Sequence, residues 1–222
     1  NKIKVLCNGS SNGIDLNFFD PLKIKAKERD QLMFSLGIKK NEFIFLYVGR
    51  LVRDKGINEL VYAFKKILFN NKKFKLLLVG NFEEDLDPLK KEVIDEINLN
   101  PNIVYVGYQK DIRPYLAISN CFVFPSYREG FPNVILQAGA MNVPCIVSNI
   151  NGCNEIIKNR INGILISRKD VGELKEAMLK ISKDDDLRNK LSKNNKKIIL
   201  KNFDQKSIWE SLRNEYKILS NV

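Results

Sequence analysis

The chain has 222 residues, 44% of them hydrophobic, enough for one large or two small domains around an ordinary soluble core. Its longest apolar runs, such as Phe43–Val48, are strand-sized and far short of the ~20 residues a bilayer-spanning helix needs, and no secretory leader pattern opens the chain. It contains no histidine, which removes Ser-His-Asp and Cys-His catalysis, and its four cysteines form no C-x-x-C pair, which argues against zinc.

The net charge of +11, from 37 Lys and Arg against 26 Asp and Glu, suits nucleic acid, an anionic membrane surface or a phosphate-bearing ligand. The basic residues are spread through helical segments that also carry acids, with no aromatic-interleaved platform and no nucleic-acid motif. A nucleic-acid partner is therefore not expected. A solvated lysine-rich surface and a peripheral attraction to a membrane both remain open. Cys121 and Cys145 each open an apolar run and read as core thiols in a reducing, cytoplasmic compartment.

Taken in order, the chain starts at Asn1 without an initiator Met and runs into the strand-like Lys2-Ile3-Lys4-Val5-Leu6, the expectation being an excised piece of a longer protein. An Asn/Gly/Ser-rich stretch over 8–15 follows. Phe43–Val48 is continuously apolar, the pattern of a strand buried on both faces. Ile57–Leu68 places Ile57, Leu60, Val61, Phe64 and Leu68 at helical spacing. A strand over 75–79 ends in Gly80, a polar helix spans about 88–99, and a strand over 103–106 ends in Gly107. A short helix at 112–118 leads to strand Cys121–Phe124, stopped by Pro125. A helix at about 133–141, a strand at 145–147 and a short strand Gly163–Ile166 come next. Three helices, about 171–181, 187–201 and 205–219, finish the chain. In the last, Ile208, Trp209, Leu212 and Tyr216 have the spacing of a core-facing stripe, or, where the domain it packs on is missing, of a face left exposed or paired in a dimer. The alternation predicts an α/β fold, a Rossmann-like parallel sheet with helices on both faces. Ligands of such sheets sit beyond the carboxyl ends of the strands, so the loops at 49–55, 80–87, 107–111, 125–132 and 148–154 are expected to line one site.

Two of these loops carry the chemistry. Gly49-Arg50-Leu51-Val52-Arg53-Asp54-Lys55-Gly56 is not a G-x-x-x-x-G-K-[ST] loop. It offers a glycine for close backbone approach, the cations Arg50 and Lys55, and a helix N-terminus, a combination suited to a diphosphate; a charged surface turn is the other reading. The second loop, Pro125-Ser126-Tyr127-Arg128-Glu129-Gly130-Phe131-Pro132-Asn133, runs into a helix with Pro132 in its first turn. Glu129 then precedes the helix and Gln137 lies roughly 7 Å along it, while the backbone N–H groups near Phe131, Asn133 and Val134 face any anion between them. Ser126 is no nucleophile elbow, because G-x-S-x-G is absent.

Read together, Gly49-Arg50-x4-Lys55-Gly56, Glu129-Gly130-Phe131-Pro132-Asn133 with Gln137-Ala138, and Asn151-Gly152-Cys153-Asn154-Glu155 resemble the donor domain of family 4 glycosyltransferases. The nearest likeness is to bacterial capsule and lipopolysaccharide sugar transferases of group 1 type. The resemblance implies one half of a GT-B fold, with residues 1–20 a hinge segment leading from an N-terminal domain, 21–203 the nucleotide-sugar-binding domain and 204–222 a crossover helix. It further implies retention of anomeric configuration, no metal or other cofactor, and a nucleotide-sugar donor with UDP favoured. The acceptor would be a saccharide or lipid-linked sugar, with a peripheral contact at the inner membrane face. By the same resemblance Arg50 and Lys55 grip the diphosphate, Glu129 meets the sugar and position 137 meets the ribose hydroxyls. Gly49, Gly130, Phe131, Pro132, Asn133 and Val134 belong to the same donor site.

One departure is plain: the family usually has a second glutamate where this chain has Gln137. An amide still accepts from one hydroxyl and donates to another but loses charge-assisted strength. Asp85-Leu86-Asp87 is a D-x-D, either a metal–diphosphate holder or an exposed acidic turn. Glu155 either positions the donor sugar or starts a helix, and Tyr108 is either close to the base or an ordinary rim aromatic. A stand-alone nucleotide-sugar-binding module is the alternative to a transferase. A nicotinamide oxidoreductase ranks last because no G-x-G-x-x-G follows a strand.

Overall fold

The structure, a computed structural model, describes residues 5–10, 12–69, 73–83, 85 and 87–220, with the Asn8 side chain left aside. Most of the strand-like run at 2–6 therefore lies outside the described residues; its last two, Val5 and Leu6, belong to no strand. Among the described residues six strands form one sheet: β1 (Phe43–Val48), β2 (Phe74–Val79), β3 (Ile103–Tyr105), β4 (Cys121–Phe124), β5 (Cys145–Ser148) and β6 (Gly163–Ile166). Every pairing is parallel and the order across the sheet is β3-β2-β1-β4-β5-β6. The central strands are apolar on both faces because helices cover both. Phe45 and Leu46 of β1, Leu76 and Leu77 of β2, and Phe122 and Val123 of β4 are fully buried. Lys75 is the exception in β2; its stem is buried and its ammonium reaches the Pro101 carbonyl at 2.9 Å.

The helices are α1 (Ala26–Ser35), α2 (Ile57–Leu68), α3 (Lys91–Leu99), α4 (Arg113–Ile118), α5 (Asn133–Ala140), α6 (Cys153–Ile156), α7 (Val171–Lys183), α8 (Asp185–Asn202) and α9 (Gln205–Ser220). Right-handed crossovers running outward in opposite directions from β1 and β4 put their helices on opposite faces. Accordingly α2 packs on α3 and α7, α5 packs on α8, and α1 packs on α4. Helix α1 has no expectation behind it, since none of its residues is buried and it shows no apolar stripe. Pro132 stands at the N-cap of α5 rather than within its first turn. Of the two readings of the α9 stripe the structure has the exposed face and not the core one: only Ile208 is buried, and Trp209 and Tyr216 are exposed because nothing among the described residues covers them. The start of α9 is held instead by residues 13–14, through Ile14 N–H to the Phe203 carbonyl at 2.8 Å and Gln205 N–H to the Ile14 carbonyl at 3.1 Å.

Cys121, Cys145 and Cys153 are buried, with no disulfide among the described residues. The first two match the expected core thiols; Cys153 is buried because α6 turns inward at its first residue.

Candidate functional site

Strand order reverses between β1 and β4, so the chain leaves these neighbours in opposite directions and a crevice opens between their outgoing loops. Those loops are 49–56 and 125–132. A cleft of about 570 Å³ lies there, and its wall includes Gly49, Arg50, Lys55, Glu129, Pro132, Val134 and Gln137. Loops 80–87 and 107–111 contribute as well, the latter through Tyr108, whose ring stands mostly exposed on the rim. Loop 148–154 does not line the cleft, contrary to expectation, because β5 and β6 lie to one side of the reversal.

The two site loops meet through an ion pair. Lys55 Nζ lies 2.6 Å from Glu129 Oε1, with side chains only 14% and 15% exposed. Arg50 sits farther out, its Nη1 2.7 Å from Glu83 Oε2, with side chains 50% and 31% exposed. An ammonium has three donors, so Lys55 can keep Glu129 and still offer hydrogens to a second acceptor. The N-terminus of α5 adds unpaired N–H groups. Gly130 and Asn133 are exposed and stand outside the cleft wall, and the Phe131 ring packs on Phe203 with centroids 5.7 Å apart.

What holds the pair in place is a set of bonds between loops. Asp87 Oδ2 accepts from the Asp54 N–H at 2.6 Å, its Oδ1 pairs with Arg53 Nε at 2.9 Å, and its carbonyl accepts from Arg53 N–H at 3.1 Å. Asp54 in turn binds the other loop, its carbonyl accepting from Tyr127 N–H at 2.8 Å and its carboxylate from Arg128 Nε at 3.1 Å. Asp87, the last residue of the D-x-D, is thus spent on bracing the Lys55 turn, while Leu86 lies outside the described residues. No group of three His, Cys, Asp or Glu among the described residues is spaced to hold a metal.

Two glycines allow this close approach. Gly56 has φ +72°, and a side chain there would run into the Pro125 carbonyl; Gly152 has φ +79°, and one there would meet the Gly130 carbonyl. Loop 148–154 therefore supports the Glu129 loop from behind. Glu155 caps α6, its Oε1 accepting from Gly152 N–H at 3.3 Å, which is the helix-start reading. Tyr47 donates its hydroxyl to the Arg50 carbonyl at 2.8 Å. Burial, with smaller contributions from the Glu129 and Asp54 charges, pushes its phenol well above the ordinary range, so it remains a neutral donor. Burial likewise pushes the Cys153 thiol up to about 12, the Glu129 charge adding to the rise and Lys55 opposing it. That thiol is also fully buried, so it is not placed to act as a nucleophile.

Sequence reasoning missed the near wall. Phe18 and Phe19 line the cleft from within the stretch read as a hinge. The Arg113 guanidinium lies 3.5 Å from the Phe18 ring centroid, donates to the Phe18 carbonyl at 3.1 Å and is forked onto Asp111 at 2.6 Å. The adjacent aromatics were visible, but no spacing rule connects residue 18 with residue 113. Glu83, the partner of Arg50, lies just ahead of the D-x-D turn, and no spacing rule ties it to residue 50.

Residues 28–198 match the family described as Glycosyl transferases group 1. The chain is 34% identical over 221 residues to the capsular polysaccharide biosynthesis glycosyltransferase CapM of Staphylococcus aureus, covering 97% of this chain and 55% of that protein. It is 36% identical over 194 residues to the UDP-Gal:alpha-D-GlcNAc-diphosphoundecaprenol alpha-1,3-galactosyltransferase of Escherichia coli, covering 86% of this chain and 49% of that one. The chain thus spans about half the length of these curated relatives. In fold it resembles the crystallised C-terminal domain of a group 1 family protein (LpcC) from Francisella tularensis. That match has a TM-score of 0.75 at 24% identity and covers 86% of this chain and 99% of that domain. The chain belongs to the group 1 glycosyltransferase family.

Proposed function

We propose, with membership of the group 1 glycosyltransferases as the premise, that the cleft between loops 49–56 and 125–132 binds a nucleotide-diphosphate sugar. The observation that carries this reading is the convergence of Lys55 and Glu129, 2.6 Å apart at the sheet's reversal point, with Arg50 farther out in the same cleft. The diphosphate lies between Arg50, Lys55 and the N-terminus of α5, Glu129 accepts from a sugar hydroxyl, and Gln137 meets the ribose. Of the residues in the turn ahead of α5 and at its start, Pro132 and Val134 line the cleft, and the Val134 N–H is the backbone donor nearest to the anion, with Gly130, Phe131 and Asn133 shaping the turn around it.

Cleavage of the glycosyl–phosphate bond sends its electron pair to a diphosphate oxygen and leaves an oxocarbenium-like sugar. Fixed cations at that oxygen are stronger in the transition state than before it, and the loss of one such donor costs roughly 10²–10³ in rate. The full-length protein transfers the sugar with retention to a saccharide or lipid-linked acceptor in capsule, lipopolysaccharide or exopolysaccharide synthesis, the acceptor being held largely by an N-terminal domain. Residues 1–20 form the hinge and α9 the crossover to that domain. UDP is the favoured nucleotide, supported by the UDP-galactose donor in the E. coli relative's name. No metal is used, the two cations taking its place, and the protein works on the cytoplasmic side with a peripheral membrane contact.

The test is titration calorimetry with UDP, GDP and ADP in the presence of EDTA, comparing wild type with Lys55→Ala. Saturable binding of UDP that the substitution abolishes is expected. Binding that survives Lys55→Ala unchanged, or that appears only with a divalent cation, would overturn the assignment.

A further inference from the structure

Helix α8 divides sharply by face. Leu191, Asn195 and Ile199, four residues apart, are buried. Ser192 Oγ donates to the Asn142 carbonyl at 2.7 Å, and Asn195 Nδ2 donates to the Val143 carbonyl at 3.3 Å. These contacts set the middle of α8 against the strand-entering end of β5. At the other end, Phe203, just past the helix, touches Phe131 beside Glu129. The helix therefore runs along the flank of the molecule from the level of Asn142 toward the turn that carries Glu129.

The outer face is basic without relief. Residues 187–202 include Lys190, Lys193, Lys196, Lys197 and Lys201 and no acidic residue. Lys193, Lys197 and Lys201 fall on one stripe at four-residue spacing, ~12 Å long at 1.5 Å per residue. With Lys196 and Leu200 they line a shallow groove that also reaches Asn142. Leu200 is 44% exposed among them. Among the described residues none of these lysines has a carboxylate within ion-pair distance, whereas Arg188 on the same helix is taken up by Asp185 at 2.7 Å. A face of unpaired lysines with one protruding leucine complements a surface dense in negative headgroups over a shallow apolar layer.

We propose that the outer face of α8 docks on an anionic lipid surface, with Leu200 at the headgroup boundary. The stripe runs toward the turn that carries Glu129, so docking there brings that end of the molecule near the membrane, where a lipid-linked acceptor would be presented. That last consequence rests on the donor-site reading above; the docking itself rests only on α8.

The experiment is co-sedimentation of the protein with vesicles of phosphatidylcholine alone and of equimolar phosphatidylcholine and phosphatidylglycerol, at physiological ionic strength. Wild type is compared with a triple variant, Lys193→Gln, Lys197→Gln and Lys201→Gln. A control variant removes the same charge elsewhere, through Lys23→Gln, Lys25→Gln and Lys27→Gln. Each lysine near such a surface is worth about fivefold in partitioning, so the α8 variant should fall by about a hundredfold and the control far less. Thermal melting of both variants shows that each is folded. Failure of wild type to bind the mixed vesicles, equal losses in the two variants, or tighter binding to duplex DNA than to vesicles at the same salt would each overturn the proposal. UDP titration of the α8 variant separates the two readings: retained UDP binding with lost vesicle binding supports both. Vesicle binding by wild type without any UDP binding sinks the donor site and leaves the docking face standing.

Discussion

The inner and outer ends of the cleft hold ion pairs of nearly the same length and very different surroundings. Lys55–Glu129 at 2.6 Å is about 85% shielded from solvent, while Arg50–Glu83 at 2.7 Å stands half in water. Distance alone would rank them equal. Attraction between charges scales inversely with the local dielectric, and an exposed pair also spends side-chain freedom to hold one geometry. The inner pair therefore behaves as part of the architecture and the outer pair as an adjustable rim. On the proposed donor-site reading the more enclosed cation is also the more effective one toward a departing diphosphate, because less water competes for it.

The sharpest way to break this comparison is Lys55→Met, which keeps the stem and removes the charge. Transfer by the full-length protein should fall by roughly 10²–10³, and leaving Glu129 unpaired should lower stability by about 1–3 kcal/mol, read by denaturant unfolding. Stability equal to wild type would mean that solvent already satisfies Glu129. Next is Gly56→Ala. A left-handed backbone with a Cβ costs about 1–2 kcal/mol even before the Pro125 carbonyl has to move, so a loss above that range and weakened UDP binding should appear together. Full UDP affinity in that variant would show that the two loops need not touch.

Arg50→Ala tests the rim. Its stability should stay within about 0.5 kcal/mol of wild type, since exposed pairs contribute little, while nucleotide affinity drops and becomes less sensitive to salt. A stability loss matching that of Lys55→Met would erase the distinction between the two ends. The smallest effect belongs to Asp111, whose carboxyl the Arg113 fork holds below the usual carboxylate range. A lowered folded value means its stabilisation is present above the unfolded value, near 4, and is lost as pH falls through the folded one. Because Asp111 is 40% exposed, Asp111→Asn should lower the melting temperature only slightly near neutral pH, with the gap closing below about pH 4. A gap that widens in acid would contradict that sign.

Much of this could be read from residues in a row. All six strands and the long amphipathic helices follow from local periodicity: β1 is apolar throughout because both faces are covered, and Ile57–Leu68 repeats at helical spacing because one face is. Helix α1 escaped because it buries no side chain and so carries no stripe. Strand β3 was read one residue too long, since Val106 no longer pairs as strand although its N–H still reaches the Leu78 carbonyl.

By itself the sequence determined the α/β alternation, the two loops that carry Arg50, Lys55 and Glu129, and the absence of an imidazole. Each is a property of neighbouring residues or of composition. Only the tertiary structure decided the rest: that Lys55 closes on Glu129 across 74 positions, that Asp87 braces the Lys55 turn, and that Phe18 enters the cleft wall under Arg113. Loop 148–154 likewise became a support instead of a lining, because Gly152 packs beneath Gly130. Such contacts depend on which strands lie side by side, and strand order arises from packing a whole sheet between helices. Local spacing carries no record of it.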